Sequence, residues 1–247
     1  MLSIERVEVA SLVLAILAMI VALWHVMGIH KAAKRLEDVQ RSLSTRYVGQ
    51  FPEFFPEIVS LLNSAKREIT IFCDFPAYCS FSDPHTFLDY QHTLERKVEQ
   101  EEVRIIFTCL GPEHRVRALN DQFFQTGQEW EAWKTNLETR DRLSHFLSKH
   151  KGPPVDKLTK EQFFETLERL EKRTLEETFA RATIRELDTY IPLYFWLVDG
   201  MKAVFAIPSE RTLEYGFFTT DQKLISAFVD MRDQYHHGVA AASTSKS

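Results

Sequence analysis

The chain has 247 residues, 45% of them hydrophobic and 26% charged, and its 19 Phe against 8 Gly exclude a disordered or fibrous chain. A net charge of −5 excludes the basic excess that neutralises nucleic-acid phosphates, so no nucleic acid is expected as a partner. The three cysteines, Cys73, Cys79 and Cys109, are odd in number and lack C-x-x-C spacing, which leaves neither a disulfide framework nor a metal site, and no cofactor is expected.

After a short flank at residues 1–8 comes Val9 to Ile29, a stretch without Asp, Glu, Lys or Arg that is long enough to cross a bilayer as one helix. A cleaved signal peptide is the alternative, but the preceding MLSIERVE is not positively charged and no A-x-A site follows. Lys31, Lys34, Arg35, Arg41 and Arg46 follow the run, whereas Arg6 before it is offset by Glu5 and Glu8. The positive-inside rule then predicts a single-pass protein, with its N-terminus outside and its C-terminal domain cytoplasmic, that meets membrane lipids through residues 9–29. Leu36, Val39 and Leu43 lie near heptad spacing, so residues 30–46 are expected to form a juxtamembrane helical stalk.

Gly49, Pro52 and Pro56 break that pattern, and a compact domain is expected over residues 47–238. Pro56 suits the first turn of a helix. Glu68–Cys73 reads as a buried strand, Thr86–Gln100 as a helix and Val103–Cys109 as a second strand. Strand, helix, strand implies a right-handed crossover, hence a parallel pair in an α/β domain. A helical insertion is expected at about 113–188, interrupted at Lys151-Gly152-Pro153-Pro154 and resuming from the capping-box pattern Thr159-Lys160-Glu161-Gln162 towards Leu187. Asp199-Gly200 between Tyr194–Val198 and Ala203–Ile207 is a strong hairpin signal. A short strand over Tyr215–Thr219 and a helix capped by Thr220-Asp221, ending near His237-Gly238, complete the domain before a flexible tail at 239–247.

The order strand, helix, strand, then VDGMKAVFAI, then EYGFFTTDQKLISAFVDMRDQYHH resembles one half of the phospholipase D superfamily, over about 54–103 and 187–237. The resemblance implies a fold that is α/β, with a phospholipase D-like sheet, flanking helices and a helical insertion, preceded here by one N-terminal transmembrane helix. Family members carry a His-x-Lys-(x)4-Asp motif on the equivalent hairpin. With Asp199 at its aspartate, Pro192 stands at the nucleophilic histidine and Tyr194 at the phosphate-binding lysine, while Glu214 falls where the family often has an acid before its closing strand. Proline cannot attack phosphorus and tyrosine offers a neutral donor in place of a cation. No H-x-K triplet occurs in the chain, so a shifted alignment restores nothing.

No catalytic residue is therefore assigned. Ligands of α/β sheets collect beyond the carboxyl ends of parallel strands, which here carry Asp74, Tyr78, Ser80 and His85 after the first strand and His114 and Arg115 after the second. With Tyr194, Asp199 and Glu214 these are the candidate ligand-binding residues, suited to a small polar ligand or a protein partner. Ser82 and Asp83 have the competing role of a turn or helix cap before Pro84. Active members of the superfamily build one site from two halves, so a single half implies a homodimer, and the apolar run IPLYFWLV offers a surface for it. The expected function is a catalytically degenerate sensing, scaffolding or regulatory module on a membrane. The alternative is a membrane-tethered phosphodiesterase or nuclease with its nucleophile relocated to His85 or His114.

Overall fold

The structure, a computed structural model, describes residues 44–124, 130–208 and 214–244. The chain divides into a unit of Met1–Arg46, nearly all outside the described residues, and a unit of Tyr47–Ser247 that carries the fold. The expected membrane segment at 9–29 and the stalk as far as residue 43 lie outside the described residues. Among those described, no helix is long and apolar enough to cross a membrane.

Seven strands form one mixed sheet: β1 (Thr45–Gln50), β2 (Glu68–Phe72), β3 (Arg104–Leu110), β4 (Thr183–Leu187), β5 (Tyr194–Val198), β6 (Lys202–Pro208) and β7 (Glu214–Thr219). Their order is β1-β7-β6-β5-β2-β3-β4. β2 and β3 are parallel in the register Ile69↔Ile105, as the crossover argument requires, and β4 extends the parallel set from Ile106↔Thr183. β5, β6 and β7 are antiparallel neighbours, and β5 joins them to β2 through Ile71↔Trp196. The turn between β5 and β6 has Asp199 at φ 54° and Gly200 at φ 66°, and the Met201 amide closes it on the Val198 carbonyl at 3.0 Å, the geometry that Asp-Gly favours.

Two strands differ from expectation. β1 begins at Thr45, so the last stalk positions, Thr45 and Arg46, are strand and not helix; the Phe51 amide bonds the Glu214 carbonyl at 2.9 Å and the Tyr47 ring meets Phe217, which sets β1 antiparallel to β7. β4 lies where the second helix of the insertion was expected to continue towards Leu187. Both are edge strands with polar sequences, TRYVGQ and TIREL, and one neighbour each. Their strand character comes from that neighbour, which local periodicity does not report.

Helices cover both faces. α1 (Phe55–Asn63) and α2 (Pro84–Glu99) pack on one face, where Phe55 meets Tyr90 and the Trp196 indole N–H reaches the Tyr90 hydroxyl at 3.4 Å. The insertion comprises α3 (Pro112–Phe124), α4 (Trp130–Thr135), α5 (Leu137–Lys149), a 3-10 turn (Val155–Lys157) and α6 (Lys160–Glu177), whose capping box between Thr159 and Gln162 forms as expected. On the opposite face α7 (Gln222–Thr244) sets Phe228 against Phe195 and Phe205. It starts from Asp221, whose carboxylate accepts the Lys223 and Leu224 amides, and runs past His237-Gly238, because Ala240, Ala241 and Ala242 favour helix more than one glycine opposes it.

Because neighbouring side chains of a strand point to opposite faces, Phe195 meets Phe228 of α7 while Trp196 meets Tyr90 of α2. Every residue of β5 is buried in its own chain, and Trp196 is fully so. The apolar run that was to offer a dimer surface is therefore core, and its hydrophobicity reflects a sheet covered on both sides.

Candidate functional site

Asp74 ends β2 and Tyr78 stands in the loop beyond it, while Tyr194 opens β5 and Glu214 opens β7. Sheet order brings these four together at one end of the strands. The Tyr194 hydroxyl donates to Asp74 Oδ2, and the Tyr78 hydroxyl donates to Glu214 Oε2. The two phenol rings are 5.9 Å apart, edge to face. All four side chains are buried, between 3% and 6% exposed. Four of the nine residues expected at a ligand site thus converge.

Burial governs their protonation. It pushes Asp74 up to about 7 against the hydrogen bond from Tyr194. Burial likewise pushes Glu214 to about 7, where the Tyr78 hydroxyl opposes the rise and the Asp74 charge adds to it. Asp74 Oδ1 is buried without a hydrogen-bond partner, a further reason for that carboxyl to keep its proton. Both phenols are raised well above their usual value, first by burial and then by the carboxylates beside them. Near neutral pH both phenols therefore keep their protons, while Asp74 and Glu214 are each near the midpoint of their titration. Among the described residues, these four side chains offer a phosphodiester neither an imidazole nor a cation, and a raised phenol is a poor nucleophile.

The remaining expected residues are elsewhere. Asp199 lies at the far end of β5, roughly 16 Å of strand from Tyr194. Its carboxylate is occupied, accepting the amides of Lys66 at 3.0 Å, Arg67 at 2.8 Å and Glu68 at 2.9 Å, so it closes the hairpin end onto β2 and shares no pocket with the cluster. Ser80 is buried in the loop, its amide on the Ala77 carbonyl at 3.0 Å. Asp83 takes the capping role, accepting the Thr86 amide at 3.1 Å. His85 is exposed in the first turn of α2, where its ring neighbours His145 of α5 at 6.0 Å. His114 is half-buried in the first turn of α3. Arg115 is buried, ion-paired with Glu186 at 3.1 Å and 3.5 Å from the Cys109 thiol.

One residue of consequence was not singled out. Glu171 on α6 is 4% exposed, accepts the Ala77 amide at 2.9 Å and is pushed by burial to about 7 against that amide and the Arg115 charge. Its signal was its spacing: four residues after Leu167 and eight after Phe163, it falls on the buried stripe of an amphipathic helix.

No family model matches the chain, and no curated protein matches it. Among solved structures it is similar to TrmBL2, an archaeal chromatin protein described as showing a novel mode of DNA binding, at 13% identity and a TM-score of 0.39, over 87% of this chain and 63% of that one. It is also similar to Nuc, a phospholipase D family member from Salmonella typhimurium, at 12% identity and a TM-score of 0.36, over 78% of this chain and 94% of that one. A third neighbour is phosphatidylserine synthase from Haemophilus influenzae Rd KW20, at 12% identity and a TM-score of 0.37, over 82% of this chain but 40% of that one. What the chain has in its own right is a mixed α/β fold, a seven-stranded sheet with flanking helices.

Proposed function

We propose that this chain is a membrane-anchored module whose phospholipase D-like domain senses or scaffolds and does not hydrolyse phosphodiesters. The supporting observation is the state of Tyr194. At the position where the resemblance calls for a phosphate-binding lysine, a buried phenol donates to Asp74, with a second phenol and a second acid packed beside it. From these four described residues a phosphodiester anion gains no cation and meets two carboxyl groups. What supports anchoring is the uncharged run Val9 to Ile29, and what supports a cytoplasmic domain is the excess of basic residues after it.

Full-length protein incubated with bis(p-nitrophenyl) phosphate, a short DNA duplex and phosphatidylcholine vesicles is expected to release no product above a protein-free blank. Turnover that disappears in His85→Ala or His114→Ala would replace this proposal with a phosphodiesterase using a relocated nucleophile. Light scattering on the same preparation at several concentrations tests homodimer formation, which must use a surface other than β5. A monomer throughout removes the dimer from the proposal.

A further inference from the structure

Beyond the parallel strands β3 and β4, the chain leaves a groove of about 310 Å³ between α3 and α6. Its size is at the lower end of small-molecule sites, roughly 300–1,000 Å³, and its position beyond the carboxyl ends of parallel strands is where α/β sheets bind ligands. The wall is apolar. Val116 and Leu119 come from α3 and Leu175 from α6, and Val116 is 44% exposed, more than a core valine.

Among the described residues, the charged groups lining the groove are unequal in number. Glu168, Glu171, Glu176 and Glu186 stand against Arg115 and Lys172. Both cations are engaged: Arg115 is buried and pairs with Glu186 at 3.1 Å, and Lys172 pairs with Glu176 at 3.8 Å. Counting Glu171 as protonated, three carboxylates face two cations, so an entering anion meets net repulsion and an entering cation net attraction. The groove is also built, because Glu171 is fixed from behind by the Ala77 amide at 2.9 Å and Arg115 by Glu186. The floor of the groove is therefore ordered before a ligand enters, while Glu168 and Glu176 stand at its exposed rim.

We propose that the groove between α3 and α6 is a binding site for a small organic cation with an apolar body, such as an arylalkylamine. The apolar part lies against Val116, Leu119 and Leu175, and the ammonium points to the rim carried by Glu168 and Glu176. None of Asp74, Tyr78, Tyr194 and Glu214 lines the groove, so the binding proposed here does not require phosphodiesterase activity.

Three water-soluble probes of one shape separate charge from hydrophobicity: 2-phenylethylamine, 2-phenylethanol and 3-phenylpropionate, titrated calorimetrically into full-length protein against a matched blank. The amine is expected to bind about tenfold more tightly than the alcohol, with the acid weakest and the amine's advantage shrinking as salt is raised. Val116→Trp fills the groove from an exposed position and is expected to abolish amine binding while the circular dichroism spectrum is unchanged. Glu168→Gln with Glu176→Gln, both at the exposed rim, is expected to bring amine and alcohol to equal affinity. Equal affinity of all three probes for the unmodified protein, tighter binding of the acid, no amine binding, or amine binding that survives Val116→Trp would each overturn the assignment.

Discussion

Asp199 shows how one side chain can look like a ligand-binding residue in sequence and be structural in space. Burial alone would push its carboxyl up, yet the amides of Glu68, Arg67 and Lys66 outweigh that and hold it below the usual aspartate value. Its backbone also sits at φ 54°, a conformation that Asn and Asp tolerate far better than most residues. Asp199→Ala loses both contributions. Two of the three amides become accessible to water, so the expected cost is about 1–3 kcal/mol and not three full hydrogen bonds. Asp199→Asn keeps the turn conformation and one acceptor oxygen, and is expected to cost less than half as much. Urea denaturation of the three proteins checks this, and equal midpoints for Asp199→Ala and the unmodified chain would remove Asp199 from the account of how β5 and β2 are joined.

At the scale of elements, legibility followed burial. β2, β3, β5 and β6 are buried on both faces, so their sequences are continuous apolar runs, and each was readable to within a residue or two at its ends. β1 and β4 lie at the edges, and nothing inside TRYVGQ or TIREL distinguishes them from stalk or helix. The site divided in the same way. Asp74 was readable because strand ends mark where an α/β sheet gathers side chains, and Tyr194 because the resemblance puts it at the family's lysine, but pairing of Tyr78 with Glu214 depends on β7 lying beside β6, which has no local signature. Packing of α1 on the sheet also depends on one residue of β7. A methyl group at Gly216 would stand under 3 Å from the ring of Phe54, a fully buried residue immediately before α1. Gly216→Ala is therefore expected to destabilise the fold by about 1–3 kcal/mol through overpacking, although alanine is otherwise tolerated in strands. Pairing it with Phe54→Leu, which makes room, should recover part of the loss. A double variant no more stable than Gly216→Ala alone would show that the contact is not the cause.

Among the described residues, three carboxyl groups, Asp74, Glu171 and Glu214, are each raised to about 7 by burial, and of the three only Glu171 has a cation, Arg115, opposing the rise. The sign of their effect on stability follows from which state releases protons first. In the unfolded chain these acids ionise near pH 4, whereas the folded chain holds its protons until about 7. Between those values the unfolded state binds fewer protons, so their contribution is fully present below about pH 4, falls as pH rises through the window and levels off above about 7. His150 works in the opposite direction, since burial, with Lys149 and Arg173 nearby, lowers its pKa and favours folding as pH rises. The melting temperature of the unmodified protein alone therefore mixes both effects. A triple variant, Asp74→Asn, Glu171→Gln, Glu214→Gln, isolates the acids, because each amide keeps an oxygen for the Tyr194 hydroxyl, the Ala77 amide and the Tyr78 hydroxyl respectively. Coupling between Asp74 and Glu214 makes the separate shifts non-additive, but even about 2 kcal/mol retained across the window moves the melting temperature by roughly 4–8 °C in a domain of this size. The triple variant is thus expected to gain on the unmodified protein between pH 5 and pH 8, with the gap widest at pH 8. A gap that is constant, or that narrows as pH rises, would mean that the folded chain ionises these groups at ordinary carboxylate values and that the cluster at the end of β2 and β5 is open to water.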